Sequence, residues 1–146
     1  MDIRTVDVEQ IIDLRRAVLR TGRPRQAARF DGDEEETALH VAVFEDDRVI
    51  GCVSLIQRRF QGEPAWQLRG MAVQPDRQRR GIGRQMLKYV EAKLHHEGSG
   101  QLIWCNARTP VVAFYLRAGW QTVSEVFNIP KVGPHRRMIR RLDPRR

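Results

Sequence analysis

The sequence predicts an α/β domain built on a mixed sheet. Three observations carry this. β-Branched apolar runs alternate with helix-period segments through the middle of the chain, hairpin-linked strands flank that region, and 146 residues suit one core. With no internal repeat and no low-complexity linker, residues 1–146 read as a single domain.

"DIRTV" opens the chain as a short strand. Asp7 then stands as an N-cap with Gln10 three residues on, and Val6 and Ile11 form a staple. Val8, Ile11, Ile12, Leu14, Val18 and Leu19 follow at helical spacing to about Arg20, where "TGRPRQ" breaks the pattern. Residues 21–37 are polar and irregular, with a short helix expected around 24–30. "ALHVAVFE" and "RVIGCVSLIQRRF" are strands joined by the turn "DDR", and "AWQLRGMAV" is a third.

From Gly81, the residues Ile82, Met86, Tyr89, Val90 and Leu94 mark a helix stopping near Gly98. "QLIWC" is a short buried strand, with Asn106 just beyond it. Thr109 and Pro110 open a helix that ends at Gly119. "WQTVSEVF" and "HRRMIRRL" are the last strands. The order gives six to seven strands and about four helices.

The formal net charge of +8 is unevenly spread. Residues 31–47 hold eight acids and no lysine or arginine, whereas residues 131–146 sum to +6. A basic excess favours anionic partners, but the acidic block argues against a nucleic-acid coat, and no recognition-helix or aromatic-interleaved basic patch is present. No apolar run reaches membrane-span length, and "MDIRTVDVEQ" does not read as a signal peptide. Cys52 and Cys105 lie in apolar strand contexts and read as buried free thiols of a cytoplasmic protein. No ligand spacing suggests a metal site.

The segment "VQPDRQRRGIGRQMLKYV" sets four arginines around two glycines where a strand gives way to a helix. The first N–H groups of a helix lack internal partners and carry partial positive charge, so this is a natural anion site. Gly81 and Gly83 would admit a phosphate to the backbone, with Arg79, Arg80 and Arg84 beside it. A turn glycine with solvated arginines is the alternative. A dinucleotide fingerprint would need glycine at position 86, which is methionine, and a Walker A loop would need lysine after Gly83.

"LRGMAVQPDRQRRGIGRQML" resembles the acetyl-CoA-binding motif of the GNAT superfamily of N-acyltransferases, with Gln78, Gly81 and Gly83 at its signature positions. "NARTPVVAFYLRAGW" resembles the second signature of that family, and the two together cover residues 66–120. The resemblance implies a mostly antiparallel mixed sheet and acetyl-CoA as cosubstrate, with no metal. It places the pyrophosphate on the backbone of Arg79, Arg80, Gly81, Ile82, Gly83 and Arg84, and the pantetheine along Met71, Ala72 and Val73. An N–H at or near Val73 would polarise the thioester carbonyl. Asn106 would bind pantetheine or shape the cleft, with a plain turn residue as the alternative. Tyr115 would protonate the departing thiolate; packing beside Phe114 is its alternative role.

Direct transfer to an amine needs a base or a water chain, and residues 66–70 carry no acid. Glu36, His40 and Glu63 are candidates acting through water, with His40 also readable as a satisfied strand histidine. The acceptor would be a small molecule or a protein or peptide amine, and residues 31–36 could attract it. The resemblance also allows a homodimer. A CoA-binding regulatory module without catalysis is the competing reading.

Overall fold

A computed structural model of the chain describes residues 1–97 and 102–142. The chain divides into two compact units: Met1–Gln57 with Leu68–Ala92, and Arg58–Gln67 with Lys93–Arg146.

The first unit begins with β1 (Asp2–Thr5), a 3-10 turn at Val8–Gln10 and α1 (Ile12–Leu19). A 3-10 turn at Arg25–Ala28, β2 (Leu39–Glu45), β3 (Arg48–Gln57), β4 (Trp66–Val73) and α2 (Ile82–Glu97) follow. Asp7 is extended at the N-cap position but its side chain makes no capping bond; the backbone N–H of Gln10 donates to its carbonyl instead. The helix proper therefore starts later than the capping pattern predicts.

β1 runs antiparallel to β2, with Asp2 opposite Phe44, and β2 antiparallel to β3, with Leu39 opposite Leu55. β4 lies on the other edge of β3. The β2–β3 turn places Asp46 and Asp47 at φ 50° and 64°, a left-handed pair whose twist matches the strands and which short acidic side chains tolerate. β3 is buried for seven consecutive residues, which is why its sequence reads as a continuous apolar run. Val8, Ile11, Ile12 and Leu14 cover Ala42, Phe44, Cys52 and Ala72 to make this unit's core, with Val6 and Leu19 packed at its margin.

One charged cluster interrupts that core. Arg15 is fully buried on α1 and grips the Asp33 carboxylate with two bonds, Nη1 to Oδ2 at 2.6 Å and Nη2 to Oδ1 at 3.0 Å. Nη1 also donates to the Ala28 carbonyl and Nη2 to Ser54 Oγ, at 3.0 and 2.7 Å. Burial pushes the Asp33 carboxyl up, but the bonds from Arg15 and the Phe30 N–H outweigh it and hold the group below its ordinary range.

The second unit holds β5 (Leu102–Arg108), a 3-10 turn at Thr109–Val111, α3 (Val112–Arg117), β6 (Gln121–Thr122), β7 (Phe127–Ile129) and β8 (Gly133–Arg141). Trp66 and Gln67 of β4 run parallel to Ile103 and Trp104, and β5 pairs antiparallel with β8 from Leu102↔Arg141 to Arg108↔His135. β6 and β7 both pair with β8. Phe60, Ala65, Leu102 and Ile139 form a local core closed by Trp104, whose Nε1 donates to the Arg58 carbonyl at 3.0 Å.

The single strand expected over 120–127 is split. The registers of β6 and β7 on β8 differ by two residues, and the intervening chain bulges away. Ser124 stabilises the break: its Oγ accepts the Arg137 N–H at 2.8 Å, and its carbonyl accepts the Arg136 guanidinium at 3.2 Å. The described residues thus hold eight strands and three α-helices, in an open mixed sheet; the short helix expected at 24–30 is only the 3-10 turn.

Candidate functional site

The glycine loop belongs to the first unit. After Val73 the backbone N–H of Gln74 donates to the Ile50 carbonyl at 2.8 Å, and a 3-10 turn at Pro75–Arg77 redirects the chain. Gln78 is extended and its side-chain amide donates back to the Val73 carbonyl at 3.0 Å, so it braces the loop. Arg79 and Gly81 then take left-handed conformations, φ 65° and 79°, before α2 begins at Ile82. Left-handed backbone in a turn that leads into a helix can direct successive N–H groups toward an anion. An added Cβ at Gly81 would meet nothing within 4 Å, so the space beside it is open.

The arginines divide by role. Arg77 is committed to Glu45 and Asp76, at 2.7 and 3.0 Å, and its bond holds the Glu45 carboxyl below the usual range, with Arg80 adding to the effect. Arg79, Arg80 and Arg84 are exposed and form no ion pair among the described residues. Gly83 and Arg84 lie in the first turn of α2, whereas Ile82 is buried and anchors it. Along β4, Ala72 is turned into the core while Met71 and Val73 are half-buried. Gly70, just before them, is left-handed at φ 65° within the strand.

Asn106 and Tyr115 belong to the second unit. Asn106 does not lie past the strand, as the sequence suggested, but inside β5, because pairing with β8 continues to Arg108. Its Oδ1 accepts a bond from Arg137 Nε at 3.1 Å. Tyr115 on α3 is 6% exposed, edge-on to Phe114 at 5.2 Å and tilted against Trp120 at 5.1 Å. Its hydroxyl lies near enough to the Cys105 sulfur for the two groups to perturb each other's ionisation. Burial, and then the Cys105 sulfur, raise the Tyr115 pKa well above the ordinary phenol value. Burial likewise pushes the Cys105 thiol up to about 12, against the opposing effect of Tyr115. Both cysteines are free and buried.

The base candidates separate clearly. His40 is buried, with Nε2 at 2.9 Å from the Asp33 carbonyl and Nδ1 at 2.7 Å from Ser54 Oγ. A carbonyl can only accept, so Nε2 carries the proton and Nδ1 accepts from the serine hydroxyl. Glu63 is paired with Arg141 at 3.0 and 3.2 Å, and that bond holds its carboxyl low. Glu36 is exposed and lines a pocket of about 510 Å³ with Asp7, Glu34, Glu35 and His40. The acidic run is therefore not uniform: Asp33 is a buried anchor, whereas Asp31, Glu34, Glu35 and Glu36 are exposed.

Sequence reasoning missed Arg15 and Ser54. A signal existed, because Arg15 sits four residues after Ile11 and three after Ile12, on the apolar face of α1. Among the described residues, no group of three or more His, Cys, Asp or Glu side chains could hold a metal ion, and no helix is long and apolar enough to cross a membrane.

Comparison with known proteins follows this geometry. The acetyltransferase (GNAT) family model matches residues 8–120. YitI, an uncharacterised N-acetyltransferase of Bacillus subtilis strain 168, is 31% identical over 138 residues, covering 92% of each chain. Among solved structures, an aminoglycoside 6'-N-acetyltransferase complexed with coenzyme A superposes with a TM-score of 0.76 at 19% identity, over 100% of this chain and 99% of that one. Escherichia coli ElaA superposes with a TM-score of 0.79 at 16% identity, over 96% and 99%. At those identities the two structures establish a shared fold.

Proposed function

Because this chain belongs to the GNAT acetyltransferase family, we propose that it transfers the acetyl group of acetyl-CoA directly to a primary amine of a small molecule, protein or peptide, in the cytoplasm. The observation that carries this is the left-handed turn of Arg79 and Gly81 at the start of α2, open beside Gly81 and flanked by Arg79, Arg80 and Arg84, which are exposed and form no ion pair among the described residues. It has the charge, donors and space for a pyrophosphate.

In this reading Arg79, Arg80, Gly81, Ile82, Gly83 and Arg84 bind the pyrophosphate through backbone N–H groups. Gln78 contributes by bracing the loop onto Val73. Met71, Ala72 and Val73 offer backbone to the pantetheine, and an N–H at or near Val73 polarises the thioester carbonyl, a role in which one donor is worth about 3 kcal/mol. Asn106, held by Arg137, shapes the cleft rather than turning the chain.

Tyr115 is the proton donor to the leaving thiolate. Burial keeps the phenol protonated at neutral pH, so it holds a proton to deliver. The attacking amine needs to lose a proton. His40 has both nitrogens committed and Glu63 is ion-paired, so water with Glu36 is the route the residues favour.

Titration calorimetry with acetyl-CoA tests the binding half, and thiol release across an amine panel tests the chemistry. No binding at millimolar acetyl-CoA overturns the proposal. Binding without turnover on any amine favours the non-catalytic CoA-binding module.

A further inference from the structure

We propose that Arg15 is a positioning residue for acetyl transfer, propping the left-handed turn at Gly70 from the core side while Asp33 fixes its guanidinium. This rests on the reading above, in which Met71, Ala72 and Val73 carry the pantetheine and the thioester.

The contact is specific. A Cβ built on Gly70 would lie 3.0 Å from Arg15 Nε, 3.4 Å from Arg15 Cζ and 3.1 Å from Phe30 Cε2. The space that a side chain would take at Gly70 is thus occupied by the guanidinium and the phenyl ring stacked on it at 4.2 Å. A residue at φ 65° inside a strand turns the backbone that follows, so whatever supports Gly70 sets the direction of the Met71 and Val73 N–H groups.

Four of the five guanidinium donors are used, by Ala28, both Asp33 oxygens and Ser54. The fifth, Nε–H, is buried without a partner among the described residues, and Nε is the atom nearest the missing Gly70 side chain. A buried donor left unbonded is costly, so packing a guanidinium here is not the cheapest way to fill the core. What it gains is direction. Arg15 donates to Asp33 and to Ser54, the Ser54 hydroxyl donates to His40 Nδ1, and His40 Nε2–H donates to the Asp33 carbonyl. The bonds close a ring in which four guanidinium donors are each met by a separate acceptor lone pair, and this holds the guanidinium in one orientation.

Two variants test this: Arg15→Lys, which keeps the charge but loses the planar fork, and the double variant Arg15→Met with Asp33→Leu, which replaces the ion pair with apolar volume and preserves the fold. Each is assayed by thermal melting, by calorimetry with CoA, and by the ¹³C resonance of acetyl-CoA labelled at the thioester carbonyl. Both variants should melt cooperatively and bind CoA within about threefold of the unmodified protein, because the glycine loop is untouched. The displacement of the carbonyl resonance on binding, present in the unmodified protein, should be largely lost. An unchanged displacement in a folded variant overturns the proposal. If neither variant folds, the ring is a folding element only and the proposal falls. Failure of the unmodified protein to bind acetyl-CoA overturns the functional reading and this inference together, whereas binding with no carbonyl displacement overturns this inference alone.

Discussion

Gly81→Ala separates the structural from the functional meaning of the glycine loop. Gly81 has φ 79°, where a Cβ crowds the following carbonyl and costs roughly 1–2 kcal/mol. Nothing else opposes the substitution, since the added Cβ meets no atom within 4 Å. At about 2–4 °C per kcal/mol for a chain of this size, melting should fall by about 2–8 °C. Gly62 supplies a matched control, because it also sits at φ 79° with nothing within 4 Å, but in the turn after Phe60. Gly62→Ala should lose similar stability. Only Gly81→Ala places a methyl in the open space beside the loop, where displacing one charge-assisted bond costs about 1.5–3 kcal/mol, or roughly ten- to a hundredfold in Kd. Calorimetry with acetyl-CoA on both variants decides. Equal affinities for the two, with equal melting losses, would refute the phosphate reading and leave Gly81 as a turn residue.

Tyr115→Phe should bind acetyl-CoA as the unmodified protein does and lose about 10²–10⁴-fold in turnover, measured by thiol release; a loss under about threefold removes Tyr115 from the chemistry. Cys52 and Cys105, both pushed up to about 12, should resist a thiol reagent at pH 8 in the native protein and react together in denaturant. The Asp33 carboxyl lies below its ordinary 3.8 when folded, so its contribution is present above about pH 4 and disappears as pH falls through the folded value. The melting gap between the unmodified protein and Asp33→Asn should accordingly narrow below about pH 4. Glu63→Gln breaks an exposed pair with Arg141 and should change stability by under about 1 kcal/mol and leave turnover intact.

Local pattern made most of the elements legible. Alternating breakers and β-branched runs located β2, β3 and β4 to within a few residues, because those strands are buried and their composition shows it. Strand ends and interruptions were not legible, since they depend on the partner. β5 extends through Asn106 to Arg108 because β8 is there to pair with it, and the break between β6 and β7 depends on Ser124 meeting Arg136 and Arg137. The left-handed turn at Gly81 could be read from its residue type, but the role proposed for Tyr115 came only through its motif, as helical spacing by itself favours a core aromatic. Arg15 was hidden for a different reason. Its partners lie 13, 18 and 39 residues away, and no local rule connects them.

The ring through Asp33 and His40 also limits how this chain can be re-engineered or can diverge. A segment borrowed from a relative to replace residues 25–37 without an acid at position 33 would leave the buried Arg15 guanidinium without its carboxylate. Residues 34–37 are different: all four are exposed, and among the described residues the Glu34 carboxylate pairs only with the surface Arg29, at 3.0 Å. Selection for a new amine can therefore work on that short exposed run at little cost to the core, while Asp33 changes only in concert with Arg15 and His40.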